Sequence, residues 1–222
     1  MSESESSSLP QTSPRWQRRP EARPDEILDA ALTVFGESGF ARAKIEDVAR
    51  LAGVSKGTVY CYFDSKESLF REMVRAKVVA SLAEAEVFVR TYEGSARGLL
   101  AELIRRMYRR VRREEMMQLA RVVQGELPHF PELARFYFDE VILRARRLIA
   151  QVLERGVASG EFRASATGFA ARGLSSMLVH TAHVQCFFHR FDPQALDEEQ
   201  AIEGLIDLYL HGVLAHPAEP LR

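Results

Sequence analysis

A glycine at position 53 punctuates the most constrained stretch of this 222-residue chain. Upstream of it, Ile45, Val48, Ala49 and Ala52 recur at helical spacing and make one apolar face. Gly53 follows at once, where a residue that takes left-handed backbone belongs just past a helix end. Val54 then fills the corner. Ser55 stands where a hydroxyl caps a second helix by accepting from its free N–H groups. In that second helix, Lys56 to Phe63, Val59 and Phe63 turn inward at i, i+4. Lys56, Gly57, Thr58, Tyr60, Cys61 and Tyr62 are left largely outside. An outer face of ammonium, hydroxyl, phenol and bare backbone is odd for a solvated surface. It suits the DNA major groove, where the second helix of a helix-turn-helix docks. Such corners also occur in bundles that never touch DNA, so periodicity alone leaves both readings open.

The ordered run AGVSKGTVYCYFDSKESLF, residues 52–70, is far more specific. It resembles the DNA-binding domain of the tetracycline-repressor (TetR) family of bacterial transcription regulators. The resemblance is close from about Glu26 to Phe70 and continues beyond only as size and helix pattern. It implies an all-α fold with a DNA-binding head and a variable ligand domain. The candidate DNA-contacting residues are Lys44, Ser55, Lys56, Gly57, Thr58, Tyr60, Cys61, Tyr62 and Lys66, the last lying where similar proteins touch phosphate. One departure matters. Similar proteins carry Thr or Ser just before the first helix of the motif, where this chain has Ala43 and Lys44. The cap is weakened by about 1 kcal/mol, while Lys44 can still reach a phosphate as a point charge.

The remaining composition bounds the answer. A hydrophobic content of 46% with 27% charged residues describes a globular chain with a real core. A net charge of -1 excludes a uniformly basic nucleic-acid coat and leaves room for a local basic footprint. Cys61 and Cys186 lie on unrelated segments and form no CxxC, which fits a reduced cytosol better than a disulfide framework. No apolar run approaches the roughly 20 residues of a membrane span. The stretch MSESESSSLPQTSP lacks the apolar centre of a secretory signal. A cytoplasmic protein is expected.

Three regions are expected. Residues 1–24 form a flexible basic arm, in which Arg15, Arg18, Arg19 and Arg23 either follow phosphates or are simply solvated; Trp16 packs on the first helix in the plainer reading. Residues 25–70 form the head. Its first helix, Asp25 to Ser38, carries Ile27, Ala30, Ala31, Val34 and Phe35 as an amphipathic stripe that Gly39 ends. Residues 71–222 form a helical ligand-binding and dimerisation body. A long helix begins at Asp64 or Ser65, with Asp64 and Glu67 matching a capping box, and runs to about Tyr92. Further helices are expected near 99–111, 117–127, 131–159, 166–190 and 198–215, for about nine in all.

Within the body, Met107, Tyr108, Met116, Met117, Phe136, Phe138, Met177 and His180 make a mixture suited to an apolar pocket, although core packing explains any one of them. The resemblance implies a small-molecule effector that releases DNA by moving the long fourth helix. His180, His183, Cys186 and His189 are metal-capable, but steps of three drift around a 3.6-residue helix and cannot share one face, so no metal is expected. The arginines at 105, 106, 109, 110, 112 and 113 are expected on a solvated face paired with Glu102, Glu114 or Glu115. No G-x-S-x-G elbow, phosphate-cradling glycine loop or HExxH is present, so neither an enzyme nor a cofactor is expected.

One two-turn recognition helix reads few base pairs. Doubling it across a two-fold axis makes a palindromic operator the expected partner. The last two long helices are the expected seam, with Gly173, Leu174, Met177, Leu178, Thr181, Ala182 and Gln185 along one side. These stripes equally fit burial in the same chain. The readings left open are a ligand-released repressor, a DNA-binding dimer that senses nothing, and a helical enzyme or interaction protein with a borrowed head.

Overall fold

The computed structural model describes residues 24–164 and 167–213. The basic arm with Trp16, Ala166, and Leu214 and Ala215 of the last predicted helix lie outside the described residues. The described residues form nine helices and no strand. The first three are α1 (Pro24–Ser38), α2 (Ile45–Leu51) and α3 (Lys56–Tyr62). Helix α4 is one rod built from Lys66–Val74, a π-helical turn at Arg75–Val79, and Ala80–Thr91. Next come α5 (Ala96–Val111) and α6 (Glu114–Gly125). After a short 3-10 turn, α7 runs through Pro131–Tyr137, a second π-helical turn at Phe138–Leu143, and Arg144–Ala158. Helices α8 (Thr167–Phe188) and α9 (Glu198–Val213) complete the body.

Side-chain chemistry accounts for several helix starts. Ser95 starts α5, its Oγ accepting from Gly98 N at 3.1 Å. The Glu161 carboxylate accepts from Ala96 N and Arg97 N at 2.9 and 3.0 Å, satisfying two more orphan donors of that helix. Ser65, not Asp64, caps α4 by accepting from Ser68 N, so the expected capping box does not form. Helix α6 starts three residues earlier than the apolar pattern indicates. Glu114 and Glu115 fill its first turn, where the helix dipole favours carboxylates.

Two cores divide the molecule. The first gathers Ile27, Ala31 and Phe35 of α1, Val48 of α2, Val59 of α3 and Phe70 of α4. It also takes Leu119 and Val122 of α6 and Leu133, Phe136 and Val141 of α7. Phe40 is its centre, with ring centroids 5.5 Å from Phe35, 5.4 Å from Phe70 and 4.9 Å from Phe130. The predicted boundary at Phe70 therefore falls inside a shared core. The head docks on α6 at close range. A Cβ added at Gly36 would stand 2.7 Å from Gln118 Cβ.

The second core is built from Leu99, Leu103, Ile104 and Tyr108 of α5 and Leu148, Ile149, Val152 and Leu153 of α7. Leu174 and Leu178 of α8 and Ile202, Leu205, Ile206 and Leu210 of α9 close it. Each such side chain contributes roughly 1.5–3 kcal/mol on leaving water. The π-helical turns of α4 and α7 touch one another. Arg144 grips Glu86 across the same pair of rods with two hydrogen bonds, at 2.5 and 2.8 Å. An open polar cleft of about 440 Å³ lies beside them, lined by residues including Asp139, Glu140 and Arg147.

The expected dimer stripe needs correcting. Leu174, Leu178 and Ala182 are fully buried within their own chain. A Cβ on Gly173 would meet the Tyr209 hydroxyl at 2.9 Å, so its smallness serves the α8–α9 contact. The apolar side chains that α8 leaves open are Phe169, Val179, Val184, Phe187 and Phe188, with Leu208 on α9. The arginine run also differs in part. Arg106 pairs with Glu102 and Arg110 with Glu115, as expected. Arg105, Arg109 and Arg112 instead reach across to Glu203, Glu198 and Glu199 on α9. No helix among the described residues is long and apolar enough to cross a membrane.

Candidate DNA-binding interface

The α2–α3 corner is built by backbone bonds that leave one face free. Gly53 adopts φ 69°, Val54 N donates to Ala49 O at 2.9 Å and Gly53 N to Arg50 O at 3.2 Å. This 6→1 and 5→2 pair closes the end of α2 and turns the chain sharply. Ser55 then caps α3, its Oγ accepting from Thr58 N at 3.0 Å and lying 2.8 Å from Thr58 Oγ1. Within α3 only Val59 is buried, and Phe63 follows it into the core at 5% exposure. Lys56, Gly57, Tyr60, Cys61 and Tyr62 are exposed and Thr58 is half-buried. The predicted outer face is therefore a single surface. Gly57 on it meets nothing that requires a glycine. A Cβ there would find only Ser55 Oγ, at 3.7 Å.

The two lysines that flank this surface behave differently. Lys44 is exposed at the N-cap of α2 and makes no side-chain cap bond, so the missing hydroxyl is not replaced. Lys66 turns inward. Its Nζ donates to the carbonyls of Phe40, Ala41 and Ala43 at 2.8, 3.1 and 3.1 Å and sits 4.7 Å from the Phe40 ring centroid. An ammonium at the first position of a helix has the wrong sign for the helix dipole. The carbonyls of the α1–α2 turn supply the compensation. All three of its protons are committed inside the head, which runs against the expectation that Lys66 meets phosphate. The same turn is held from the body. Glu126 Oε2 accepts from Ala41 N at 2.7 Å, and Gly39, at φ 77°, leaves room for that carboxylate.

Pattern reading missed Glu46. It lies in the first turn of α2 and binds Lys56 across the corner, Oε1 to Nζ at 2.6 Å. The lysine's hydrogen bond holds the Glu46 carboxyl below its ordinary range, and the carboxylate raises Lys56 in turn. Both side chains stay about half exposed. The missing signal is geometric, since the two residues are ten apart and on different helices.

The residues expected to line one ligand pocket are not gathered together. Met107, Tyr108 and Met177 belong to the second core, whereas Met116 and Phe136 belong to the first. Met117 is buried, but Phe138 and His180 are exposed. Tyr108 donates to Gln185 Oε1 at 2.7 Å, and burial raises its phenol. Burial pushes the Tyr137 phenol, beside the π-helical turn of α7, up to about 12. His183 turns inward, with Nδ1 2.7 Å from Gln124 Nε2, and burial lowers its pKa. His180, one helical turn earlier, stays exposed while His183 is buried. Among the described residues no group of three metal-capable side chains converges.

This geometry is shared with known regulators. Residues 27–73 match the model of the bacterial regulatory proteins of the tetR family. Residues 98–212 match that of the AefR-like transcriptional repressor C-terminal domain. The chain belongs to the TetR family. It is a DNA-binding transcriptional regulator, and the likeness continues well past Phe70, further than the sequence resemblance reached. The HTH-type transcriptional repressor KstR2 of Rhodococcus jostii is 32% identical over 142 residues, which is 64% of this chain and 68% of that protein. The fatty acid metabolism regulator protein of Bacillus subtilis is 27% identical over 147 residues, 66% of this chain and 73% of the relative. Among solved folds, Bacillus subtilis FadR in complex with stearoyl-CoA superposes with a TM-score of 0.72 at 22% identity, covering 86% of this chain and 99% of FadR.

Proposed function

We propose that this TetR-family protein is a homodimeric repressor that sits on a palindromic operator and leaves it when a lipophilic effector binds the body. The observation that carries the reading is the open face of α3. A glycine that the fold does not need stands between a lysine and a threonine, followed by two half-exposed tyrosines. Lys56 donates to guanine, and Gly57 lets the backbone come close. Ser55, Thr58, Tyr60, Cys61 and Tyr62 supply hydroxyl, thiol and ring contacts to phosphate and thymine. Lys44 adds a phosphate contact at the start of α2. Lys66 acts from behind, by holding the α1–α2 turn.

The dimer forms through α8 and α9, along the open line of Phe169, Val179, Val184, Phe187, Phe188 and Leu208. His180 belongs to this seam, not to a pocket. The effector reading draws on the stearoyl-CoA bound by the Bacillus subtilis relative. Flexible Met107 and Met177, which pack against the second core that holds Tyr108, offer an adaptable lipophilic lining. Two π-helical turns in contact on α4 and α7 mark where these rods can be displaced. Helix α6 is the route to the head, because it touches α8 through Gln124 and His183 and the head through Gln118 and Glu126. An effector that weakens DNA binding binds the DNA complex less well by the same factor. The protein works in the cytoplasm, where the DNA is.

The test is binding of purified protein to the intergenic DNA beside its own gene, at two salt concentrations, with Lys56→Ala alongside. Selective, salt-sensitive binding that the variant loses supports the reading. Selectivity retained by Lys56→Ala removes the lysine's role. A panel of acyl-CoA thioesters is then titrated into the complex. Release by one chain-length class supports the effector. No release and no shift in melting across the panel leaves a regulator that senses nothing of this class.

A further inference from the structure

The acidic partner of Lys56 is an odd residue to find on a DNA-reading surface. Glu46 is about half exposed, next to the recognition helix. Phosphates repel a carboxylate there, and it brings no donor for their oxygens. Its ion pair with Lys56 is solvent-exposed, and exposed pairs add little to stability. The helix dipole favours a carboxylate in the first turn of α2, which Asp47 also supplies, but it does not fix which way Glu46 points. Its placement is nonetheless defined. It borders an open cleft of about 330 Å³ between α2 and α3, lined with Ala49, Arg50, Gly53, Val54, Ser55 and Lys56.

The pair has a specific complement in the major groove. A G·C pair presents guanine N7 and O6 as acceptors and, next to O6, the cytosine N4 amino group as donor. Lys56 Nζ carries three protons. One goes to Glu46 Oε1, and two remain for O6 and N7. Glu46 retains lone pairs for the cytosine N4–H. Donor and acceptor stand side by side at 2.6 Å on the protein, as the guanine acceptor and cytosine donor stand side by side on the DNA. A T·A pair in the same orientation offers O4 to the lysine and the adenine N6 amino group to the carboxylate, but it puts a methyl group where guanine N7 stood, so the lysine keeps one acceptor instead of two. The C·G and A·T orientations put a donor under the lysine and an acceptor under the carboxylate.

We infer that Glu46 is a specificity-determining residue, reading the cytosine of the base pair whose guanine is read by Lys56. This rests on Lys56 contacting bases, as proposed above. The order of preference at that position is G·C, then T·A, with C·G and A·T rejected.

The experiment uses full-length protein and a selected operator, with every pair substituted at the Lys56 position. Glu46→Ala and Glu46→Gln are compared with wild type on operator and on random DNA. For the wild type, the stated order is expected. In Glu46→Ala, affinity for random DNA rises because a charge facing phosphate is gone, while discrimination at that one pair falls by about 10-fold. Opposing shifts are the signature, since simple relief of repulsion raises specific and random binding alike. A second probe replaces the cytosine with a 2-pyrimidinone nucleoside lacking the N4 amino group. It weakens wild type and leaves Glu46→Ala unaffected. If wild type and Lys56→Ala behave as regulator and defective reader, but both Glu46 variants keep the full wild-type discrimination at that pair, the inference is overturned while the regulator reading stands. Equal weakening of wild type and Glu46→Ala by the pyrimidinone also overturns it.

Discussion

Replacing Lys66 with methionine separates two roles that one lysine is asked to fill. Methionine keeps an unbranched stem over the Phe40 ring but removes the ammonium. Three donations are lost together, to the carbonyls of Phe40, Ala41 and Ala43. A hydrogen bond to a charged group contributes about 1.5–3 kcal/mol. The three are not additive, and water can rehydrate the exposed Ala41 carbonyl. The carbonyls of Phe40 and Ala43 are part-buried and harder to satisfy. A net loss of about 2–4 kcal/mol follows. For a protein of this size, 1 kcal/mol moves the melting temperature by about 2–4 °C, so the expected fall is roughly 4–16 °C. The assay is thermal unfolding of DNA-free protein at fixed concentration, because the proposed dimer would make melting concentration-dependent. The refuting result is unchanged melting together with uniformly weaker DNA binding and a salt slope lower by about one. Lys66 would then serve phosphate, and its inward bonds would carry no net energy.

Other expectations are simpler. Lys44→Ser supplies the absent cap of α2, and melting should rise by roughly 2–4 °C, corresponding to about 1 kcal/mol; a fall would mean that Lys44 contributes something else to the fold. Glu161 is held below its ordinary pKa chiefly by the Arg97 and Ala96 N–H groups. A depressed carboxyl contributes stability that is complete above its unfolded pKa and lost as pH falls through the folded one. The melting difference between wild type and Glu161→Gln should therefore be large at pH 7 and shrink below about pH 4.5, the ordinary value. A difference that stays constant as pH falls below that value refutes the carboxylate cap. Leu208→Glu puts a charge in the proposed seam on α9 and should give a folded monomer by sedimentation velocity, with operator affinity reduced. An intact dimer would exclude this face as the seam.

What the sequence determined by itself lies within a few turns of helix. Periodicity identified the buried stripe of α1. Gly53 and Ser55 announced the α2–α3 corner, and their backbone and cap bonds form as expected. Such features are legible because they couple residues three to five apart. The absent cap at Lys44 was legible for the same reason. Tertiary structure decided which partners meet across helices. Glu46 meets Lys56, Lys66 meets the α1–α2 turn, and Arg105 and Arg109 meet α9 instead of their own helix. It also decided which side of α8 faces out. That helix is apolar nearly all round, with Leu174 and Leu178 on one side and Val184 and Phe188 on another, so periodicity has no polar stripe to orient it. Likewise, Met107 and Phe136 share a chemistry but went to different cores. Side-chain type indicates that a group will be buried, whereas the packing of helices chooses its neighbours.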